Sequence, residues 1–288
     1  MKKLFLIILI GLTLCSCKEQ AQLTYDSSAV NTLDDQGVFL PFELHSYGYL
    51  LADLKDFTIL YKEHADEKIY PASLTKILTM STVLSLFDDL EDTSYVTNEQ
   101  VQRLIYEDAS LAYIQRDYLY SIKDLLYALV LPSGADAAVA LENYFLLHGL
   151  DLVEEMNSHA EELGCTSSHF VNTTGLHDDD HYSSLDDMFL IAMDALQYEE
   201  GRKILTSLKY ELQDGLKVYS TVGYILNNET QVLGGKTGYT PEAGQNIMVL
   251  YRYHNMPYIL ITCGAPGSAA KRKYYHYEDA LKIFSQLY

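Results

Sequence analysis

Pro71-Ala72-Ser73-Leu74-Thr75-Lys76 is the stretch on which the fold and the chemistry of this chain turn. The positions that follow and should face inward, Leu74, Ile77, Leu78, Ser81 and Leu84, recur at helical spacing. Pro71 stands just before them, where a helix start tolerates proline. The spacing predicts a buried helix with Ser73 at or near its N-terminus. On such a helix Ser73 and Lys76 occupy positions i and i+3, so the amine can reach the hydroxyl. A serine hydroxyl is a poor nucleophile until a base takes its proton. A lysine becomes that base when desolvation and nearby positive charge lower its pKa toward neutrality. The helix N-terminus adds a partial positive charge that favours a developing oxyanion. A lone Ser-x-x-Lys occurs by chance in many chains, so the flanking sequence has to decide.

Working outward, residues 46–52 and 57–62 alternate like strands, with a turn at 53–56, and read as an antiparallel hairpin. Residues 88–120 read as acidic and irregular. From Ser121 the chain is helical through Ile122, Leu125, Leu126, Leu129 and Val130, and it breaks at Leu131-Pro132-Ser133-Gly134. Helices are expected over about 135–147, 150–163 and 185–198, with a His-, Asp- and Ser-rich loop at 171–184 before the last. The C-terminal part is β-rich, with strands expected at 232–236, 247–253 and 258–263. His254-Asn255-Met256-Pro257 reads as a hairpin turn, and 274–287 as a terminal amphipathic helix. Strands at both ends with helices between them imply an α/β chain of the α+β type. Its simplest form is one antiparallel sheet built from both chain ends, flanked by helices, with a helical subdomain inserted.

Two further motifs fall on these elements. Ser133-Gly134 sits at the helix break. Gly234-Gly235-Lys236-Thr237-Gly238-Tyr239 sits at the end of an expected strand. A lysine and a threonine on an edge strand can hold a carboxylate, and a following glycine lets a substrate backbone approach closely. Ser-x-x-Lys, then Ser-x-Asn, then Lys-Thr-Gly, in that order, is the signature of the β-lactam-binding serine enzymes, and Ser133-Gly134-Ala135 stands here at the second place.

Over roughly residues 45–288 the sequence resembles the low-molecular-mass penicillin-binding proteins, the serine D-Ala-D-Ala carboxypeptidase family. The resemblance also takes in Leu125-Leu126-Tyr127, Phe170-Val171-Asn172-Thr173-Thr174-Gly175-Leu176, His181-Tyr182-Ser183-Ser184 and Thr240-Pro241-Glu242-Ala243-Gly244. It implies a β-lactamase/transpeptidase-like fold, no cofactor and no metal. It implies peptidoglycan stem peptide as substrate and β-lactam antibiotics as covalent inhibitors. By the same resemblance, Ser73 is acylated by the penultimate D-alanine with Lys76 as base. Ser133 passes a proton to the leaving amine, and Lys236 and Thr237 bind the terminal carboxylate. Gly238 lies against the substrate, and the backbone N–H groups of Ser73 and Tyr239 form the oxyanion hole. Ala135 departs from the pattern, since the family usually has Asn there. A methyl group can neither donate nor accept a hydrogen bond. Asp136 follows it, and on a helix should point elsewhere.

Two rivals differ in testable ways. A class A β-lactamase shares Ser-x-x-Lys and Lys-Thr-Gly but needs a glutamate for deacylation, and none stands around 167–174. A catalytically weak penicillin-binding fold that docks cell-wall peptide has Ala135 as its support. His177-Asp178-Asp179-Asp180-His181, with His169 nearby, matches no zinc-protease spacing and reads as an ordinary loop.

The N-terminus adds an address. Lys2 and Lys3 precede an apolar run from Leu4 to Leu14, too short for a comfortable membrane span, so residues 1–16 read as a secretory signal. Leu14-Cys15-Ser16-Cys17 resembles a bacterial lipoprotein signal with Cys17 as the lipidated residue. That expectation makes 17–44 a tether, 45–288 the enzymatic domain, and the protein exported, extracytoplasmic and anchored to the membrane by its lipid. The formal net charge of -20 argues against a nucleic-acid partner. Cys165 and Cys263 stand among apolar or small residues without metal spacing and read as buried structural thiols.

Overall fold

Alternation along the strands divides the hydrophobic residues between two cores. In β1 (Gly48–Asp53), Leu50 and Ala52 face one side of the sheet, and Tyr49 and Leu51 face the other. A computed structural model describes residues 42–225, 231–267 and 274–287. The expected signal, Cys17 and nearly all of the expected tether lie outside the described residues.

β1 pairs with β2 (Ile59–Glu63). Three C-terminal strands complete the sheet: β7 (Val232–Thr240), β8 (Gly244–Tyr253) and β9 (Met256–Ala265). The spatial order is β2-β1-β9-β8-β7, with every neighbour antiparallel. The sheet is thus assembled from both chain ends, as expected. β8 and β9 are joined by His254 and Asn255, both at positive φ (46° and 64°), the two-residue turn that matches strand twist. On one face Leu51, Val249, Tyr251 and Leu260 pack against Ala280, Ile283 and Phe284 of α9 (Tyr275–Phe284). On the other face Leu50, Met248, Leu250 and Ile261 join the larger core shared with the helices. Each such fully buried aliphatic side chain contributes about 1.5–3 kcal/mol.

The helical insertion starts with α1 (Thr75–Leu86), which is buried on every side from Thr75 to Leu84 rather than along one stripe. It packs against α3 (Ile122–Val130), α5 (Leu152–Glu162) and α6 (Leu185–Ala195), and α4 (Ala135–Leu147) packs on α3 and α5; α3, α4 and α5 lie close to their expected bounds. The short ribbon of β3 (Thr93–Ser94) and β4 (Tyr120–Ser121), the hairpin of β5 (Lys209–Glu211) and β6 (Lys217–Tyr219), and α8 (Thr221–Ile225) complete it. No helix among the described residues is long and apolar enough to cross a membrane.

Three expectations need correction. The stretch 88–120 is not irregular throughout, because α2 (Asn98–Tyr106) lies within it. Thr97 accepts from Gln100 N, and Gln100 accepts from Thr97 N, a reciprocal capping box legible as Thr-x-x-Gln. The helix expected at 185–198 ends at Ala195, and a separate α7 (Glu199–Leu205) follows. The strand expected to end at Lys236 continues to Thr240, so the whole Lys-Thr-Gly motif is strand.

Candidate active site

Ser73 lies in a 3-10 turn, Ala72–Leu74, that leads into α1. Ala72 is left-handed (φ 47°), which turns the chain sharply at the residue before the serine. Two glycines let neighbouring backbone close on this turn. A Cβ on Gly175, itself at φ 78°, would lie 1.9 Å from Ala72 O. A Cβ on Gly238 would lie 3.0 Å from both Pro71 O and Ser73 N, so β7 runs directly beside the nucleophile's backbone. Asn246 of β8 fastens the same segment to the sheet, donating to Tyr70 O (2.8 Å) and accepting from Gly264 N (2.9 Å).

Lys76 is 2% exposed. Its Nζ donates to Ser73 Oγ at 3.2 Å and to Thr174 O at 2.5 Å. Burial pulls its pKa down to about 7, against the opposing field of Asp136. Thr174 O is held in place by Asn172, whose Oδ1 accepts from Thr174 N (3.1 Å), Thr174 Oγ1 (3.1 Å) and Gly175 N (2.7 Å). Thr79 Oγ1 of α1 donates to the neighbouring Thr173 O at 2.9 Å. His181 Nδ1 accepts from Val171 N (3.1 Å), which leaves Nε2–H to donate to Thr75 Oγ1 (2.7 Å). Burial lowers its pKa to about 4, so this imidazole is a neutral brace rather than a base.

Ser133 occupies the break between α3 and α4 with φ 68°, an uncommon conformation for a residue with a side chain. Gly134 is required beside it, because a Cβ there would lie 2.6 Å from both Ala128 O and Ala112 Cβ. Ser133 Oγ accepts from Lys236 Nζ at 2.9 Å, and the same amine donates to Thr237 O at 2.7 Å. Lys236 is fully buried, and burial together with the Lys76 charge pulls its pKa well below the lysine range. Thr237 Oγ1 donates to Thr221 Oγ1 at 2.8 Å. Tyr239 is 46% exposed on β7, an edge strand of the sheet.

All three motifs therefore meet. Ser73–Lys76 and Ser133–Lys236 form two hydroxyl–amine pairs, the Lys236 amine senses the Lys76 charge, and Thr237 and Gly238 follow Lys236 on β7. Ala135 is buried, offers no polar side-chain atom, and donates its N–H to Ser110 O (2.8 Å). Asp136 points away, as expected, toward Ala112 N and Ile114 N. Asn172, Thr174 and Thr221 are site residues to which sequence reasoning assigned no role. The first two stood inside a quoted stretch, whereas nothing local marks Thr221. Among the described residues no group of three or more His, Cys, Asp or Glu side chains is placed to hold a metal. Cys165 and Cys263 are free and buried, and burial pushes the Cys263 thiol up to about 12.

The model of peptidase family S11, described as D-alanyl-D-alanine carboxypeptidase, matches residues 35–267. The chain belongs to this family. Among curated family relatives it is 26% identical to the D-alanyl-D-alanine carboxypeptidase DacF of Bacillus subtilis over 272 residues, covering 92% of this chain and 67% of that one. It is 28% identical to the DacA carboxypeptidase of Haemophilus influenzae over 243 residues, covering 83% and 62%. The chain spans about half to two thirds of the length of the curated relatives it matches, 53% for the DacA of Escherichia coli. The fold is that of a Streptomyces DD-transpeptidase (TM-score 0.75, 23% identity, 85% of this chain and 98% of that one). Penicillin-binding protein 5 of Haemophilus influenzae superposes with a TM-score of 0.74 at 26% identity, covering 86% and 72%.

Proposed function

We propose that the protein is a serine-type D-Ala-D-Ala carboxypeptidase that removes the terminal D-alanine of peptidoglycan stem peptides through an acyl-enzyme on Ser73. The observation that carries this reading is the buried Lys76 amine, with a pKa near 7, in contact with Ser73 Oγ. Neutral Lys76 takes the Ser73 proton as Oγ attacks the carbonyl of the penultimate D-alanine. The oxyanion forms beside the backbone N–H groups of Ser73 and Tyr239. Ser133 relays to the leaving amine the proton that Lys76 took from Ser73, which leaves Ser133 neutral and Lys76 free to act again as base. The terminal carboxylate docks at Lys236 and Thr237, bringing the counter-charge that favours a proton on Lys236. Water then releases the shortened peptide. A β-lactam acylates the same serine and acts as a covalent inhibitor.

The test is peptide mapping of folded protein after exposure to penicillin. A penicilloyl group on Ser73 is expected, and label elsewhere or nowhere would falsify the assignment. Ala135 favours a second reading, a fold that acylates but turns peptide over slowly and serves as a cell-wall binding protein. Labelled protein with no measurable release of D-alanine would select it.

The same proposal includes the address: a signal over 1–16, a lipid on Cys17, a tether over 17–44 ahead of the domain at 45–288, and an exported, membrane-anchored protein. Leu14-Cys15-Ser16-Cys17 after the apolar run supports it. Cys17→Ser should block processing or release the protein from the membrane fraction of a bacterium that makes lipoproteins. Unchanged processing and partitioning would refute the lipid.

A further inference from the structure

Asp136 is 1% exposed, in the first turn of α4, three residues after Ser133. Its carboxylate meets only donors. Oδ1 accepts from Ala112 N (2.8 Å) and Ala137 N (3.1 Å), and Oδ2 from Ile114 N (3.1 Å). Burial raises the Asp136 pKa above the usual carboxylate range, and these three N–H donors oppose that shift by favouring the anion. Ala112 and Ile114 are not in α4. They belong to the segment between α2 and β4, which is pinned a third time where Ala135 N donates to Ser110 O (2.8 Å). Tyr113, between the two pinned amides, is left-handed (φ 63°) and 78% exposed. Ala112 also fills the space that a side chain at 134 would need. The segment is therefore the outer support of the strained Ser133 turn, and the Asp136 carboxylate is its main fastening.

The same carboxylate bears on the general base. The titratable groups coupled through space to the Lys76 amine come from three elements: Asp136 from α4, Lys236 from β7 and His181 from the loop before α6. His181 is neutral, and Lys236 can only add positive charge. Asp136 is the anion among them. With Ala135 in place of an amide, no side chain at that position can orient the amine by a hydrogen bond.

We propose that Asp136 is a positioning residue of this site: its carboxylate locks segment 110–114 against the Ser133 turn and, while ionised, keeps a negative charge in the neighbourhood of Lys76. The inference rests on the acyl-enzyme reading above. The carboxylate touches no substrate. It acts through Ser133 and through the charge balance at Lys76. Its removal has two separable consequences, a slacker Ser133 turn and an amine that loses its proton more easily.

The experiment follows the rate of penicillin acylation of Ser73 against pH in wild type, Asp136→Asn and Asp136→Glu, with thermal unfolding alongside. Asp136→Asn removes the charge, and its NH2 group faces an N–H donor. Its acylation rate should fall about tenfold or more, by the loss of orientation at Ser133. Its acid limb should move to lower pH by about half a unit or more, because a missing anion lowers the Lys76 pKa. Asp136→Glu keeps the charge, so its acid limb should coincide with wild type while its rate falls, since the longer arm displaces the segment. A purely structural role would lower the melting temperature of Asp136→Asn and leave the limb in place, and that result overturns the inference. Should Asp136→Asn not fold, Asp136→Glu decides: acylation at the wild-type rate overturns it. Wild-type protein that takes no label at Ser73 overturns the proposed function and this inference with it. A labelled wild type with an unmoved limb overturns this inference alone.

Discussion

Burial of Lys76 makes a quantitative statement about rate. An ordinary lysine, with a pKa of about 10.4, is neutral in roughly one molecule in 2,500 at pH 7. With its pKa pulled to about 7, Lys76 is neutral in half of the molecules. Burial thus supplies on the order of 10³-fold more usable base at neutral pH. The second-order rate of penicillin acylation should therefore climb about tenfold per pH unit on the acid side and level off above about pH 7.5. Intact-mass measurement of the penicilloyl adduct between pH 5 and pH 9 gives the profile. A flat profile, or a rise that continues toward pH 10, would refute the assignment of Lys76 as the base.

The same shift must appear in stability. The folded-state pKa lies below the unfolded one, so between about pH 7 and 10.5 the unfolded chain binds more protons than the folded protein. Stability contributed by this group rises with pH through that window, and the full cost is carried below about pH 7. The gain is on the order of a few kcal/mol across the window, shared with Lys236, which is pulled down in the same direction. Lys76→Met removes the Lys76 share. Its melting temperature should climb less than that of wild type from pH 7 to pH 9.5, and it should take no label. Equal slopes for the two proteins would mean that the Lys76 pKa is not lowered on folding.

Three other substitutions test the site from different sides. Ser73→Ala should abolish labelling while the melting temperature stays within about 1 °C of wild type, since Ser73 is only half-buried and accepts a single hydrogen bond from Lys76. Ala135→Asn should raise turnover of an acyl-D-Ala-D-Ala peptide more than it raises penicillin acylation, because a strained ring needs less orientation than a flexible peptide. An unchanged or lower peptide turnover would show that the pocket has adapted to alanine. Gly175→Ala, with positive φ and a Cβ 1.9 Å from Ala72 O, should cost about 2 kcal/mol or more and lower acylation, read by denaturant unfolding and mass labelling. A wild-type midpoint and acylation rate in that variant would show that the nucleophile turn does not depend on this approach.

What could be read from the sequence follows the range of the interactions. The sheet was legible because alternation and turn residues are local, and His254-Asn255 marks its hairpin within two positions. The pairing of Ser73 with Lys76 was legible because i and i+3 is a helical distance. The Ser133–Lys236 contact was legible only through the order of motifs, since 103 positions separate the two residues. Thr221 was not legible: its hydroxyl meets Thr237 from 16 positions away, and no pattern links the two. Gly234 and Gly235 lie inside the strand expected at 232–236, and its expected end fell short because Gly238, just beyond, looks like a strand breaker. In the structure the glycines are what lets backbone pass close by, Gly235 against Met248 O and Gly238 against Ser73 N. The helix α2 is hard to read because its few buried positions, Val101 and Leu104, lie among polar residues, although its capping box is legible.

The unfavourable features of this fold gather at one seam. Two fully buried amines, a left-handed Ser133, a left-handed Ala72 and a glycine pressed against Ala72 O all lie where the helical insertion meets β7. Each costs stability, and none is needed to close either hydrophobic core. The cores on the two faces of the sheet are continuous and apolar on their own. That surplus offsets a strained and desolvated seam of the kind that fixes reacting groups. The seam is also where the three motifs arrive from three separate elements, so a one-residue slip of β7 would carry Lys236 away from Ser133 and turn its amine to the other face of the strand. The bulge between Val232 and Gly234 lies before the motif, and from Gly234 to Thr240 the pairing with β8 runs without interruption. Register in this strand is thereby register of the active site, which explains why the motif lies inside the strand rather than in the loop after it.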